Sequence, residues 1–210
     1  QYMKICVINN IYPPYHRGGA EQVVVQTVRG LREQGHSVIV ITSTPRNDEV
    51  VVEDGVLVYR INPKMSYFYT DAHTHRILAR IRWHVENIWN KRVARAIDAI
   101  IEKEKPDAIL LGFGGQTALN LGLLLEETGV LAKYNVKPLG TSIDAIRETE
   151  DRDIFKQALL AIGVKTPKSL AITNMLAAEQ AGEQIGYPLM IRSGFSLGGL
   201  GSGKVANIEE

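Results

Sequence analysis

Cysteine is nearly missing from this chain: Cys6 is the single one among 210 residues, so no disulfide can form within it. A reducing compartment, the cytoplasm, is therefore the expectation. Long apolar runs are missing too. None approaches the roughly 20 residues that a bilayer-crossing helix needs, and the apolar stretch after Lys4 is too short for a signal peptide. No membrane span is expected. Charge of one sign is also not in excess, because 24 Lys and Arg oppose 23 Asp and Glu for a formal net charge of +1. That balance removes the general electrostatic case for nucleic acid as a partner, so any anion site must be local. Metal-ligand patterns are equally sparse. His73 and His75 form an H-x-H pair with no nearby third ligand, and a helix start capped by Asp71 or Thr74 accounts for them without a metal. Arg76, Arg80, Arg82, Arg92 and Arg95 are interrupted by Glu86 and Asp98 and read as a solvated face. There is no internal repeat and no low-complexity segment.

What is present is the composition of a packed globular protein, with 45% apolar and 22% charged residues. At this length it allows one full core and the start of a second. Lys4 to Asn9 reads as a buried strand feeding the Tyr12-Pro13-Pro14 loop, with Cys6 as a core thiol. Val23, Val24, Thr27, Val28 and Leu31 then recur at helical spacing, Gly35 closes the helix, and Ser37 to Thr42 forms a second strand. Strand, helix and strand make a βαβ unit with a right-handed crossover and parallel strands. Val50–Val52 and Val56–Ile61 flank Glu53-Asp54-Gly55 and predict a small antiparallel ribbon. A long Arg-rich helical segment runs from Thr74 to Lys105 and stops at Pro106. Next come a buried strand over Ala108–Phe113, a Gly114-Gly115 turn and a helix over Thr117–Thr128 with Gly129 beyond its end. A short strand at Val136–Leu139 and helices over Ile143–Glu148 and Arg152–Ile162 follow. Extended chain at Lys168–Ile172, a helix over Met175–Ile185 and a strand at Leu189–Arg192 complete the reading, and that strand runs into a glycine-rich loop. The fold class is α/β: a Rossmann-like, doubly wound parallel sheet over residues 1–140, then the first part of another domain over 141–210.

Two glycine-rich segments carry the chemical signal. Gly18-Gly19-Ala20-Glu21 opens the first helix, where free N–H groups and the helix dipole could receive a phosphate or sugar oxygen. A structural turn explains the same residues, and the G-x-G-x-x-G dinucleotide pattern is absent. The second segment is Leu197-Gly198-Gly199-Leu200-Gly201-Ser202-Gly203, preceded by Met190-Ile191-Arg192-Ser193. Gly198 to Lys204 also satisfies G-x-x-x-x-G-K, but Val205 follows where a P-loop needs a hydroxyl, and no helix can follow in the residues left. A P-loop is excluded on those grounds.

Met3 to Ile8, Tyr12-Pro13-Pro14, Gly18 to Glu21 and Leu31 to His36 together resemble the opening of family 4 glycosyltransferases, over about residues 3–95. That GT-B likeness implies an acceptor-holding half whose sugar or phosphate loop is Gly18, Gly19 and Glu21. The donor-holding half has no counterpart. Lys105-Pro106-Asp107, Gly114 to Asn120, Glu150-Asp151-Arg152, Met190 to Ser193 and the glycine loop, in that order, resemble the carbamoyl phosphate synthetase large chain from about residue 96 onward. This second likeness implies a pre-ATP-grasp segment over 96–140 and a partial ATP-grasp subdomain over 141–210. Arg152 and Arg192 would act catalytically on phosphates or the carboxyphosphate intermediate, since arginine forks bind such oxygens bidentately. Gly198, Gly199 and Gly201 would line the ATP. It also implies ATP with Mg, whose ligands lie outside this chain, and as partners the remaining ATP-grasp subdomain or an amidotransferase subunit. The expectation is a chimera-like chain without a complete active site: an ATP-dependent ligase fragment, or else a glycosyltransferase-derived binding half or an inactive scaffold.

Overall fold

The computed structural model describes residues 2–15, 18–66, 68, 90–192 and 202–209. At its centre is β1 (Lys4–Ile8), whose run of apolar residues is explained by pairing on both edges and cover on both faces. It pairs in parallel with β2 (Ser37–Ser43) on one side and β5 (Ala108–Leu110) on the other, so that Cys6 lies between Ile39 and Ile109. The crossover from β1 to β2 is α1 (Gly19–Glu33). Its Val24 and Val28 pack with Ile5, Val7, Val38 and Val40, the residues that alternate onto one face of the two strands. Ile8 and Ile41 alternate to the other face, where they share a cleft with Val93, Ile97 and Leu121.

The ribbon expected around Glu53-Asp54-Gly55 is present. β3 (Glu49–Glu53) and β4 (Val56–Ile61) pair antiparallel, and Asp54 and Gly55 both have positive φ, as a two-residue hairpin turn requires. β4 also pairs in parallel with β2, with Ile41 opposite Tyr59. Of the long Arg-rich segment the described part is α2 (Lys91–Glu104), capped by the Asn90 side-chain amide oxygen, which accepts from the Val93 N–H. Lys105 closes it in the left-handed region before Pro106. β5 is half as long as the sequence suggests: the chain leaves the sheet after Leu110 and turns through Leu111–Gly114. That turn delivers α3 (Gly115–Glu127), Gly129 closes it with φ 74°, and a single further turn α4 (Val130–Lys133), unforeseen in the sequence, precedes β6 (Lys137–Leu139). The sheet order is β3-β4-β2-β1-β5-β6, parallel except for β3.

The chain divides into two compact units, residues 1–143 and 144–210. α5 (Ile143–Glu150) begins at that division. In the second unit, α6 (Arg152–Ala161) starts on the Asp151 carboxylate, which accepts from the N–H groups of Asp153 and Ile154. Lys168–Ile172, expected as extended chain, joins no strand; Lys156 donates to the Ser169 carbonyl and Lys168 to that of Gln184. α7 (Met175–Ile185) matches its expected bounds, and a Cβ on its Gly182 would fall 2.3 Å from the Tyr187 hydroxyl, so the missing side chain is what lets that ring in. β7 (Leu189–Ile191) and β8 (Gly203–Val205) form an antiparallel pair.

Candidate nucleotide-binding site

Arg192 directly follows β7, which pairs with β8 on the far side of the glycine-rich segment in sequence. The register places Leu189 opposite Val205, Met190 opposite Lys204 and Ile191 opposite Gly203. Arg192 is the first residue past the last pair of β7. Gly198, Gly199 and Gly201 lie between β7 and β8 in sequence, outside the described residues. Directly opposed residues of an antiparallel pair project to the same side, and side chains alternate along a strand. Met190 and Lys204 thus share one face, and Arg192 continues that alternation. The exposed Lys204 is a cation beside the loop that the sequence reading set aside with the P-loop. It sits in strand β8, not at the start of a helix, which agrees with that exclusion.

Arg152 is the first residue of α6 and is exposed, in the same unit as Arg192. Its position has a clear local cause, since Asp151 caps the helix and leaves the next residue pointing out of the first turn. Among the described residues no group of three or more His, Cys, Asp or Glu side chains could hold a metal ion, so the described donors do not fit a magnesium site. His73, His75, Arg76, Arg80 and Arg82 lie outside the described residues. Arg92 is engaged with Asp48 at 2.6 Å, as a solvated face allows.

The other candidate loop is in the first unit and is locally satisfied. The N–H of Gly18, at the cap of α1, donates to the Glu21 carboxylate at 2.8 Å. Glu21 is buried, so the Gly18 N–H already has an internal carboxylate acceptor. The sequence reading missed a different set of polar residues, Asn9, Asn10, Thr42 and Thr117, where β1 and β2 end and α3 starts. The signal was available in Asn9-Asn10, two amides closing an apolar strand beside the centre of a doubly wound sheet.

Two family models account for the chain from residue 49. The carbamoyl phosphate synthase preATP-grasp domain matches residues 49–148, and the carbamoyl-phosphate synthase L chain, ATP binding domain, matches 151–210. Residues 49–148 and 151–210 belong to the carbamoyl phosphate synthase large-chain family. The large chain of Methanosarcina mazei is 41% identical over 159 residues, 75% of this chain and 14% of that protein. The large chain of Haemophilus ducreyi is 39% identical over 185 residues, 88% of this chain and again 14% of that one. This chain thus spans about a seventh of the length of such synthase relatives. Among solved structures, the biotin carboxylase–β-γ-ATP complex of Campylobacter jejuni shares the fold, with a TM-score of 0.57 at 21% identity over 99% of this chain and 39% of that one. The biotin carboxylase domain of Hydrogenobacter thermophilus 2-oxoglutarate carboxylase, in complex with MgADP, gives 0.56 at 18% over 100% and 39%.

These matches correct the glycosyltransferase reading. The synthase preATP-grasp model begins at residue 49, so nothing marks a join near residue 95, and the Haemophilus alignment covers 88% of the chain. The glycosyltransferase likeness of residues 3–95, and the chimera built on it, are unsupported. The physical reason is that a buried strand, a glycine turn and an amphipathic helix closed by glycine are what any Rossmann-like βα unit needs.

Proposed function

We propose that residues 151–210 contribute the phosphate-holding part of an ATP-grasp site of carbamoyl phosphate synthase type. The parent reaction is ATP-dependent phosphorylation of bicarbonate to carboxyphosphate on the way to carbamoyl phosphate. Arg152 and Arg192 are the phosphate or carboxyphosphate ligands in this reading, and Gly198, Gly199 and Gly201 form the loop over the nucleotide, where backbone N–H groups can approach oxygens without obstruction. The observation that supports it is the β7–β8 register: Arg192 directly follows the last residue of β7, and β7, β8 and the glycine-rich segment between them in sequence all fall in the stretch that matches the ATP-binding domain. Magnesium and its carboxylates, and with them turnover, come from the remaining part of the ATP-grasp fold. In this reading catalysis needs the metal as well, because no clamp on the β- and γ-phosphates is complete without it.

The test is a calorimetric titration of the whole chain with MgATP and, separately, with UDP-glucose. Saturable ATP binding is expected, weakened at least about tenfold by Arg192→Ala, the loss of one bidentate charge-assisted contact. Lys204→Ala weakens it less, because an exposed lysine acts as a single point charge. No saturable heat with ATP, or equal binding by wild type and the Arg192 variant, overturns the proposal. Saturable binding of UDP-glucose alone would restore the glycosyltransferase reading.

A further inference from the structure

Two buried polar groups on the α1 side of the sheet lack a partner, and the strand register makes them neighbours. Thr42 borders the cleft at the ends of β1 and β2, but alternation along β2 turns its side chain to the other face, that of Val38 and Val40. On β4 the same alternation puts Arg60 on the face of Val56 and Val58. The parallel pairing sets Thr42 opposite Arg60, on the face that also packs Tyr12, Val24 and Val28. Both residues are 3% exposed, and neither the Thr42 hydroxyl nor the Arg60 Nε–H has a hydrogen-bond partner among the described residues. An orphan of either kind is costly unless something completes it.

The rest of the Arg60 guanidinium is engaged, and this decides what can complete the pair. Its Nη2 donates to the Glu53 carboxylate at 2.7 Å and to the Pro13 carbonyl, and its Nη1 lies 3.6 Å from the Glu49 carboxylate. Two carboxylates already offset one guanidinium, which leaves no positive charge for an anion. A metal cation does not fit either, because Nε–H is a donor with no lone pair to give. What fits is a small neutral molecule that accepts from Nε–H and shares a hydrogen bond with a hydroxyl. Adjacent strands lie about 4.8 Å apart, and two hydrogen bonds in series span about 5 Å, so a single water matches the gap.

From these two opposed orphans we infer that Thr42 and Arg60 form a binding site for one enclosed water, which accepts from the Arg60 Nε–H, bonds the Thr42 hydroxyl and joins β2 to β4. The bridge has a mechanical consequence. By holding Nε it fixes the arginine stem from which Nη2 reaches the Pro13 carbonyl, and so it tethers the loop between β1 and α1 to the sheet. Thr42 is a positioning residue for that tether and acts through Arg60.

The experiment is to crystallise the whole chain and its Thr42→Ser and Thr42→Val variants at high resolution, and to follow solvent exchange of the Arg60 Nε–H by NMR. A water within about 3.2 Å of both Arg60 Nε and Thr42 Oγ1 is expected in the wild type. Thr42→Ser keeps the hydroxyl and should keep the water, whereas Thr42→Val keeps the shape without the hydroxyl and should lose it. Exchange of the Nε–H should be at least about fivefold faster in the valine variant than in the serine variant, as the loss of one hydrogen bond allows. A direct hydrogen bond between Nε and Oγ1 in the wild type, or no water between them, overturns the site. A valine variant that keeps the water, or exchanges no faster than the serine one, overturns it as well. Where the valine variant does not fold, the wild-type and serine structures decide alone, since absence of the water from either overturns the site. Every reporter lies in residues 1–143, so failure here leaves the ATP reading untouched, and failure of ATP binding leaves this one.

Discussion

Glu104 shows how much one side chain at the edge of the core can organise. Its carboxylate accepts from the Lys4 ammonium at 2.6 Å and from the Tyr59 hydroxyl, and so ties the end of α2 to the starts of β1 and to β4. The Lys4 hydrogen bond, then that of Tyr59, holds its pKa below the ordinary carboxyl range against a smaller opposing effect of burial. Folded Glu104 therefore binds fewer protons than unfolded Glu104 between the lowered value and the ordinary one. Its contribution to stability is complete above the ordinary value of about 4.3 and is lost as pH falls through the lowered value. Glu104→Gln keeps the shape but gives up the charge, and should cost about 1–2 kcal/mol at pH 7. Urea melts of the two proteins from pH 7 to pH 3 should show the gap constant to about pH 5 and closing below it. A gap that is unchanged at pH 3 would remove the charge from this account.

At the scale of elements, the tight point is the junction of β5 and α3. A Cβ on Gly114 would lie 2.3 Å from the Ala118 Cβ and 2.8 Å from the Ile8 carbonyl, while its φ of −96° is open to any residue. Space, not backbone conformation, selects glycine there. Gly114→Ala should therefore destabilise by about 1–3 kcal/mol through overpacking. Gly112→Ala two residues earlier, with nothing within 4 Å, should stay within about 0.5 kcal/mol. Thermal melts of both variants check the pair, and equal loss in the two would contradict it. This junction also shows what could be read beforehand. The Gly114-Gly115 turn and the helix after it were visible because glycine and helical periodicity are local signals. The early end of β5 was not, since Leu111 stays buried at 2% after leaving the sheet and looks in sequence like one more strand residue. Gly18 and Glu21 were legible as a helix start. That Glu21 turns back to accept from the Gly18 N–H depended on a rotamer that spacing does not report. Thr42 escaped notice because an apolar strand ending in Thr-Ser looks ordinary until its buried hydroxyl is found without a partner among the described residues.

For the molecule as a whole, the two units differ in how much apolar surface they hide. β1 is buried from Ile5 to Ile8, and burial, with a smaller push from the Glu104 charge, raises the Cys6 thiol to about 12. In the second unit, α6 has no buried residue, and Ile162, Met175, Leu176 and Met190 are all more than half exposed. Local opening costs little where few apolar contacts must be broken. Amides of α6 and α7 should consequently exchange with deuterium by local opening, whereas those of β1 and β2 exchange only with global unfolding. Cys6 gives an independent reading of the same event. A buried thiol so far from ionisation does not react with a disulfide reagent at neutral pH until its sheet opens. In low urea, exchange over residues 152–185 should be complete while Cys6 remains unmodified, and thiol reaction should begin together with exchange in β1. Protection of α6 equal to that of β1 would mean that the exposed apolar residues of the second unit are covered in solution, by self-association or by another part of the chain. Sedimentation at two protein concentrations would then separate those cases, because only self-association changes the mass with dilution.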